Sequence, residues 1–463
     1  MQALSRRSLL VSPLILGGFG AAMNAFSEEG GTQNPHFFLQ ILIESGMDSL
    51  YLFDARPKIF TAAGRIANFA KDDAFLWEGA AGGRCWASAL AKPFESFKSR
   101  LAIVNGVFMP AGFEGHEQNV NSALTANPFG GNYFGSQLTA GGTPLPFVGL
   151  GGLKATLSNR SSALILDSET ANQLASNAQK KAGGGRIPSW RQVVGERARA
   201  CGQGAGALAQ GCLAYADGLD KAGSLAADLG RTGVTFRPEA SDLEKRTGVA
   251  LSYFRNRLTR TALITYTPNK VLDTHAPADA ARAQETFEDL NASILATLKL
   301  LQETPFDAAS GVSMLDVTTV MICSEFSRTH MQAGKTVETT GTDHNALSNM
   351  VLLCGKGIRG DLVVGASDLD VLNEDKTFAA VSAAHNRIDP EHFKRMGKVF
   401  DYAKQESSAA LPEEFKPDDY ITIPTIMNTL LSGFGAPKSS WLSNDTRARD
   451  DSKPAAIISR LLT

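Results

Sequence analysis

An α/β fold with a mainly parallel, layered sheet is predicted by three features of the 463-residue sequence. Short runs of β-branched and aliphatic residues recur without polar alternation, which is typical of strands covered on both faces. Helical patterns lie between these runs, as parallel connections require. Hydrophobic residues make up 43% of the chain and charged residues 20%, which indicates a globular protein and excludes disorder.

Six apolar runs are the predicted core strands. They span residues 37–43, 101–107, 163–166, 262–266, 317–323 and 350–354. The clearest helix is predicted over 280–302, where one stripe carries Phe287, Leu290, Ile294, Leu298 and Leu301. A closing helix is predicted over 420–434, followed by a tail from residue 439 onward.

The segment 170–258 differs in composition from the rest of the chain. It is rich in Ala, Gly, Arg and Lys and has no strong strand run, so we interpret it as a helical insertion or cap. A prior of about one domain per 150 residues would give two or three domains. The order of strands and helices instead predicts one large domain over 28–463 that carries this insertion, with a polar surface excursion near 366–390.

The N-terminus resembles a twin-arginine export signal. Arg6 and Arg7 precede an uncharged, weakly apolar stretch over 8–27, in which Pro13 and several glycines disfavour a membrane-spanning helix. We therefore predict export by the twin-arginine machinery to the periplasm or beyond. If the signal is not cleaved, the alternative is that it anchors the protein to the membrane. Residues 1–27 are excluded from the fold. The other interpretation is an ordinary basic N-terminus before a buried helix.

Charge and cysteine counts narrow the function further. Lys and Arg number 45 against 47 Asp and Glu, and this balance excludes a polybasic nucleic-acid binder. Five cysteines are too few, and odd in number, for a disulfide scaffold. In an oxidising compartment Cys201 and Cys212 are the best candidate pair, whereas Cys323 and Cys354 are predicted to be buried strand thiols. No glycine-rich phosphate loop is present.

Polar residues that follow the strands are the candidate site, because ligands of parallel sheets bind beyond the carboxyl ends of the strands. Asp48 follows the first run; it is either a metal ligand or the N-cap of the next helix. His116 opens a helical stretch whose N-terminus suits an anion, or is a capping or surface histidine. Asp273 and His275 stand two apart on extended chain and so could reach one ion; the alternative is a helix-start Asp and an exposed His.

Two further motifs complete the candidate set. Glu325 follows the 317–323 run, where it could meet a cation, and Arg328 could receive an anionic substrate, although a surface pair is the alternative. Asp343 and His344 lie on a Gly turn before the 350–354 run and face the same site or form a solvated turn. Oxygen and imidazole ligands suit Zn²⁺, Mn²⁺, Mg²⁺ or Ca²⁺, so we predict a site for one or two divalent ions.

In their order these motifs resemble the signature of a bacterial family. The segments SGMDSL around Asp48, DTH at 273–275, SEFSRT at 324–329 and GTDH at 341–344 are similar to those of an exported, sulfatase-like family. It is the domain-of-unknown-function 1501 family, in the alkaline phosphatase superfamily, and the resemblance covers about 37–434. It implies an alkaline phosphatase-like three-layer sandwich with a divalent-metal site whose ligands are Asp48, Asp273, His275, Glu325, Asp343 and His344.

The departures from the family pattern bear on the mechanism. Ser45-Gly46 stands where relatives have Gly-Gly, Ser327 replaces a Gly, and Asn345 replaces a small residue. The superfamily places its nucleophile at a helix start after the second strand, but this chain has Gly115-His116 there, and its next hydroxyls are those of Ser122 and Thr125. A covalent Ser or Thr mechanism is therefore not expected.

Two functions are expected from these observations. The first is an exported metal-dependent hydrolase of small phosphate or sulfate esters, in which Arg328 holds the anion and His116 acts as acid or base. The second is a non-catalytic periplasmic or surface protein that retains the fold for structure or partner binding.

Overall fold

The computed structural model describes residues 35–55, 74–109, 115–138, 143, 145–169, 171, 199, 203, 239–268, 272–280, 282–307, 309–329, 341–367, 396–408, 416–445 and 453–463. The predicted export signal, the candidate pair Cys201 and Cys212, and most of the 366–390 excursion lie outside these residues. Where the chain is described, no helix is long and apolar enough to cross a membrane.

Four of the strands in the described residues have seven residues each, and the others have two to six. In chain order they are β1 (Phe37–Ile43), β2 (Ala74–Glu78), β3 (Arg84–Ser88), β4 (Leu101–Val107), β5 (Val148–Leu150), β6 (Leu164–Leu166), β7 (Thr261–Tyr266), β8 (Pro305–Asp307), β9 (Val312–Ser313), β10 (Thr318–Ser324), β11 (Ser327–Arg328), β12 (His344–Asn345), β13 (Asn349–Gly355), β14 (Leu362–Val364), β15 (Phe400–Asp401) and β16 (Glu406–Ser407).

The α-helices of the same residues vary from one turn to six. They are α1 (His116–Thr125), α2 (Gly135–Leu138), α3 (Asp242–Arg255), α4 (Pro277–Ala280), α5 (Ala283–Glu303), α6 (Met314–Val317) and α7 (Ile423–Gly433). Short 3-10 helices span Ser49–Tyr51, Ala89–Arg100, Arg160–Ser162, Pro417–Asp419, Lys438–Ser440 and Ser459–Leu461.

Eight of these strands form the central sheet, in the order β14-β4-β13-β10-β1-β7-β5-β6. β1 pairs in parallel with both β10 and β7, and the parallel pairing continues through β5 and β6. β13 is antiparallel to its two neighbours, β10 and β4, and β14 is again parallel to β4. The prediction of a mixed α/β protein with a large, mainly parallel sheet is therefore confirmed.

Helices cover both faces of this sheet. Alternate β1 residues enter two separate hydrophobic clusters: Phe37 and Leu39 pack with α3 and α5, whereas Phe38 and Leu42 pack with α1 and α7. Every residue of β1 is buried. This two-sided burial is the physical reason why the core strands are continuous apolar runs in the sequence.

Most predicted elements are confirmed, with small shifts at their ends. All six predicted strands are present, and the long helix spans Ala283–Glu303 with its predicted apolar stripe buried. Val317, predicted to begin a strand, is instead the last residue of α6. A capping box between Ser313 and Asp316 stabilises the N-terminus of this helix. The short strands β5 and β14 and the β2–β3 hairpin were not predicted.

The segment from residue 439 onward, which was predicted to be a tail, packs against the domain in its last part, so the prediction is wrong there. Ile458 and Leu461 are buried in the cluster that contains α7, Ala455 is also buried, and Leu462 pairs with Ile358 in antiparallel orientation. Burying the side chains of Ile458 and Leu461 on this surface stabilises the docked segment by roughly 1.5–3 kcal/mol each.

The helical insertion predicted over 170–258 lies mostly outside the described residues. Its last part is the helix α3, which begins with a capping box between Ser241 and Glu244. Leu251 and Phe254 of this helix are fully buried in the same cluster as α5, and Phe37 stacks on Phe254 with ring centroids 4.8 Å apart. This part of the segment thus covers one face of the sheet.

Candidate metal centre

The candidate site lies at one edge of the central sheet. β10, β1 and β7 are adjacent and parallel, so the loops that follow them leave the sheet side by side; Ile43 is in register with both Ser324 and Tyr266. β13 runs the opposite way, so the chain that precedes it arrives at this same edge. The topology therefore brings the DTH, SEFSRT and GTDH segments together.

Backbone pairing holds the last two motifs together. β11 and β12 pair so that Arg328 lies opposite His344 and Ser327 opposite Asn345. On the other side of the GTDH segment, the Thr342 amide donates to the Thr274 carbonyl over 2.7 Å. This joins all three motifs through main-chain hydrogen bonds, so the positions of their side chains are fixed by the backbone.

Gly341 is required at the point where two of these loops cross. A Cβ added to this residue would lie only 2.0 Å from the carbonyl oxygen of His275. Only glycine permits so close an approach of two backbones, which explains the first letter of the GTDH motif.

Two overlapping groups of side chains could each hold a metal ion. One consists of His116, Asp273 and His344, and the other of His275, Asp343 and His344. Within each group the nitrogen and oxygen atoms lie within 4.8 Å of one another. The Nε2 atoms of His275 and His344 are 3.0 Å apart, and His275 Nε2 is 3.1 Å from an Asp273 oxygen. Five of the eight predicted site residues thus converge.

Glu325 lies beneath His116. It is fully buried, its Oε1 accepts from the Ser45 amide over 2.6 Å, and its Oε2 accepts from the Ser324 hydroxyl over 2.9 Å. His116 Nδ1 is 3.0 Å from the same Oε1. Because a carboxylate only accepts, Nδ1 must carry the proton, and the Nε2 lone pair is left available to an ion.

Asp48 is placed at the start of the Ser49–Tyr51 helix. Its side chain accepts a hydrogen bond from the Leu50 amide over 3.1 Å, which is the N-cap arrangement that the sequence left open. Among the described residues, Asp48 and Glu325 belong to neither of the two ligand groups.

Arg328 is buried behind Asp273. It has no exposed surface, and its Nη2 donates both to the Ser45 carbonyl over 2.6 Å and to an Asp273 oxygen. Burial alone would raise the pKa of Asp273, but the hydrogen bond and charge of Arg328, with His275 and His116, more than offset this and lower that pKa. Asp273 is therefore held as a carboxylate, the form that binds a cation.

Phe326 packs against several members of the cluster. Its ring stacks on His344 with centroids 4.2 Å apart, lies 4.9 Å from the His116 ring, and has the Arg328 guanidinium 5.4 Å from its centroid. Gly46, at φ +80°, fits against Phe326 and Arg328 where a Cβ would not. The aromatic ring thus sets the spacing between both histidines and the buried cation.

A cavity of about 510 Å³ opens beside His116, Asp273 and Glu325. Glu44 and Lys154 also line it, and neither was predicted as a site residue. Glu44 directly follows the first apolar run, so the strand-end rule that selected Asp48 could have found it. Lys154 lies four residues beyond the short strand β5 and carries no such signal in the sequence.

The hydroxyl groups of α1 do not face an attack position. Ser122 donates to the Gln118 carbonyl and Thr125 to the Asn121 carbonyl, each four residues back along the helix, and both residues are buried. The helix begins at His116 with Gly115 as its N-cap. In the described residues, this start carries no hydroxyl or thiol nucleophile.

The fold and site together define a mixed α/β protein with a candidate divalent-metal centre built from His and Asp. Residues 308–393 match the family model described as "Protein of unknown function (DUF1501)". This match supports the family suggested by the motifs, and it includes the SEFSRT and GTDH segments. No curated protein matches the chain.

Proposed function

We propose that this chain is an exported, metal-dependent hydrolase of the alkaline phosphatase superfamily that acts on phosphate or sulfate esters. The observation that carries the proposal is the convergence of three histidines and two aspartates in two ligand groups that share His344. Scattered surface residues would have no reason to converge in this way, because the five come from three separate segments of the chain.

The donor set fits a divalent cation. Imidazole nitrogens and carboxylate oxygens are both present and thiolates are absent from the two groups, which favours Zn²⁺ among the four ions expected from the sequence. A bound ion of this kind polarises a phosphoryl or sulfuryl oxygen and lowers the pKa of water. His116, Asp273, His275, Asp343 and His344 would hold it.

Buried partners orient these ligands. Glu325 fixes the tautomer and direction of the His116 ring, and Arg328 holds Asp273 in place. Such outer partners commonly change metal affinity 10–100-fold when they are removed. In this proposal Arg328 is a positioning residue, since its burial places it behind Asp273 and not at the surface of the cavity.

Water is the nucleophile in the proposed reaction. Ser122 and Thr125 are engaged with helix carbonyls, and the cavity beside His116 is large enough for a small ester and water. Export of the chain in its folded state, which the twin-arginine signal suggests, agrees with an ion acquired before translocation.

A non-catalytic role is the second candidate. It is favoured by the start of α1, where the described residues offer Gly115 and His116 in place of a nucleophile. In that case the metal centre serves stability or partner binding. The variants Glu325→Ala and His344→Ala would then lower the thermal stability while a cellular phenotype of the protein is retained.

Metal analysis of the purified full-length chain tests the proposal. We expect stoichiometric divalent metal by plasma mass spectrometry, loss of it in His344→Ala, and retention of it in His36→Gln, a histidine that precedes β1 at the opposite edge of the sheet. Hydrolysis of aryl phosphate or aryl sulfate should depend on the metal and stop with a chelator. Absence of stoichiometric metal would refute the proposal, whereas bound metal without turnover would favour the non-catalytic role.

A further inference from the structure

Glu44 is a buried carboxyl group that the proposed metal centre does not use. Only 8% of the residue is exposed, and it lines the same cavity as His116 and Asp273. Its Oε2 accepts a hydrogen bond from the Thr267 hydroxyl over 2.9 Å. Its backbone amide is fixed by the Tyr266 carbonyl at 3.0 Å, so the residue is anchored on the strand end.

The surroundings of Glu44 contain charges of both signs. The charges of Lys154, Arg246 and Glu325 all act on its carboxyl group. Lys154 and Glu325 line the cavity together with Glu117, His116 and Asp273. Burial is the largest influence and raises the pKa of Glu44; the Thr267 hydrogen bond and the two cations lower it, and the charge of Glu325 raises it. The net effect is a pKa above the ordinary value, which increases the fraction of protonated carboxyl near neutral pH.

We propose that Glu44 is the general acid that protonates the leaving oxygen of the ester. This inference rests on the proposed hydrolase function and assigns a catalytic residue to the same cavity. Two carboxylates in one site commonly divide their roles according to their surroundings. Here Asp273 belongs to one of the two ligand groups, whereas Glu44 belongs to neither among the described residues, is buried and lines the cavity.

The proposed step balances in atoms and protons. The bond between phosphorus or sulfur and the leaving oxygen breaks as the bond to the water oxygen forms. Glu44 gives its proton to the leaving oxygen, and the proton that water loses restores the Glu44 carboxyl group. Ester and water become alcohol and phosphate or sulfate, and no oxidant or reductant is needed.

Comparison of two leaving groups tests this role. We measure kcat/KM of the full-length, metal-loaded chain with the phosphate or sulfate esters of phenol and of 4-nitrophenol. The 4-nitrophenolate leaving group needs little protonation. Glu44→Gln should lose about 100-fold or more on the phenyl ester and less than about 5-fold on the 4-nitrophenyl ester. Glu117→Gln is the matched control, because this residue also lines the cavity but is exposed; it should change both rates little.

A second variant keeps the carboxyl group and changes only its partner. Thr267→Val removes the hydrogen bond that lowers the pKa of Glu44, so that pKa should rise. A general acid works while protonated, and activity falls as pH increases through its pKa. The basic limb of the kcat/KM profile should therefore move to higher pH in Thr267→Val.

The outcomes separate the two proposals. Equal losses on both esters in Glu44→Gln, or an unchanged basic limb in Thr267→Val, would overturn the acid role and leave the hydrolase function standing. No turnover of either ester by the metal-loaded wild-type chain would overturn the hydrolase function and the role of Glu44 together. A large loss confined to the phenyl ester, with normal metal content, is the result we expect.

Discussion

Replacement of Gly46 by alanine should lower the stability of the protein and disturb the candidate metal centre. Gly46 adopts φ +80°, a left-handed conformation that costs an L-residue about 1–2 kcal/mol. Its Cβ would also lie 2.4 Å from a ring carbon of Phe326 and 2.8 Å from Arg328 Nε. Ordinary Cβ contacts are at 3.4–4 Å, so these buried neighbours must move by about 1 Å, at a further cost of about 1–3 kcal/mol.

The expected loss for Gly46→Ala is therefore about 2–5 kcal/mol in the free energy of unfolding. Movement of Phe326 also disturbs His344 and His116, and movement of Arg328 disturbs Asp273. We expect metal affinity to fall by about 10-fold or more, as when an outer partner of a metal ligand is lost. Urea unfolding followed by circular dichroism and metal titration by calorimetry measure the two effects.

Gly311→Ala is the matched control for backbone strain. Gly311 has φ +68° and no atom within 4 Å of an added Cβ, so it should lose only the conformational term of about 1–2 kcal/mol. The double variant Gly46→Ala/Phe326→Leu should be less destabilised than the sum of its single changes, because the smaller side chain relieves the contact. Equal destabilisation by Gly46→Ala and Gly311→Ala, with unchanged metal affinity, would refute this reasoning.

Three other predictions concern pH, a buried charge and thiol reactivity. Burial lowers the pKa of His36 to about 4, so between pH 6.5 and 4 the unfolded chain binds a proton that the folded chain does not. The free energy of unfolding should therefore fall by up to about 3 kcal/mol as the pH decreases across that window. Urea unfolding of His36→Gln should show a smaller fall. Arg328→Met should cost about 2–3 kcal/mol in the same assay and weaken metal binding, because a buried charge-assisted hydrogen bond is lost; no loss would contradict the positioning role. Burial raises the pKa of Cys323 and of Cys354 to about 12, so native iodoacetamide labelling at pH 8, read by mass spectrometry, should modify the half-buried Cys85 and spare both; labelling of either would contradict their placement.

Most of the sheet was predictable from the sequence because its central strands are buried on both faces. Such strands appear as uninterrupted apolar runs, and all six that the sequence contains are strands of the central sheet. The strands β5 and β14 were not predicted; each has three residues, and only β6 of this length was recognised, from its unbroken run Leu164–Leu166. The apolar positions of the terminal segment, with Ile458 and Leu461 buried, were overlooked because they are separated by polar residues.

The candidate site was predictable to the extent that it follows strand ends. Asp273, His275, Asp343 and His344 come together as the motif order suggested, although the direction of β13 could not be determined from its apolar run. That antiparallel direction is what carries Asp343 and His344 to the shared edge. A sequence pattern specifies which residues are buried and leaves strand direction to long-range pairing.

The roles of the supporting residues depended on contacts between distant segments. The sequence gives no sign that Arg328 is buried behind Asp273, 55 residues earlier in the chain, or that Glu325 contacts His116, 209 residues earlier. Both interactions form only because β10 and β7 flank β1 in the sheet and because the start of α1 lies at the carboxyl end of β10. Partners of a metal ligand therefore need the three-dimensional arrangement to be identified.

The charge of the cavity connects the two proposals. Four carboxyl groups line it. That of Glu117 is exposed and screened by solvent, whereas those of Glu44, Asp273 and Glu325 are less exposed and are opposed only by the cation Lys154 among the lining residues described. An anionic ester entering this space meets net repulsion, because like charges at short distance in a partly dry site cost several kcal/mol. Two changes relieve it: a divalent ion held by Asp273 and the histidines, and a proton on Glu44. The acidity of the cavity is thus consistent with an anionic substrate only if both the metal and the protonated acid belong to the working state.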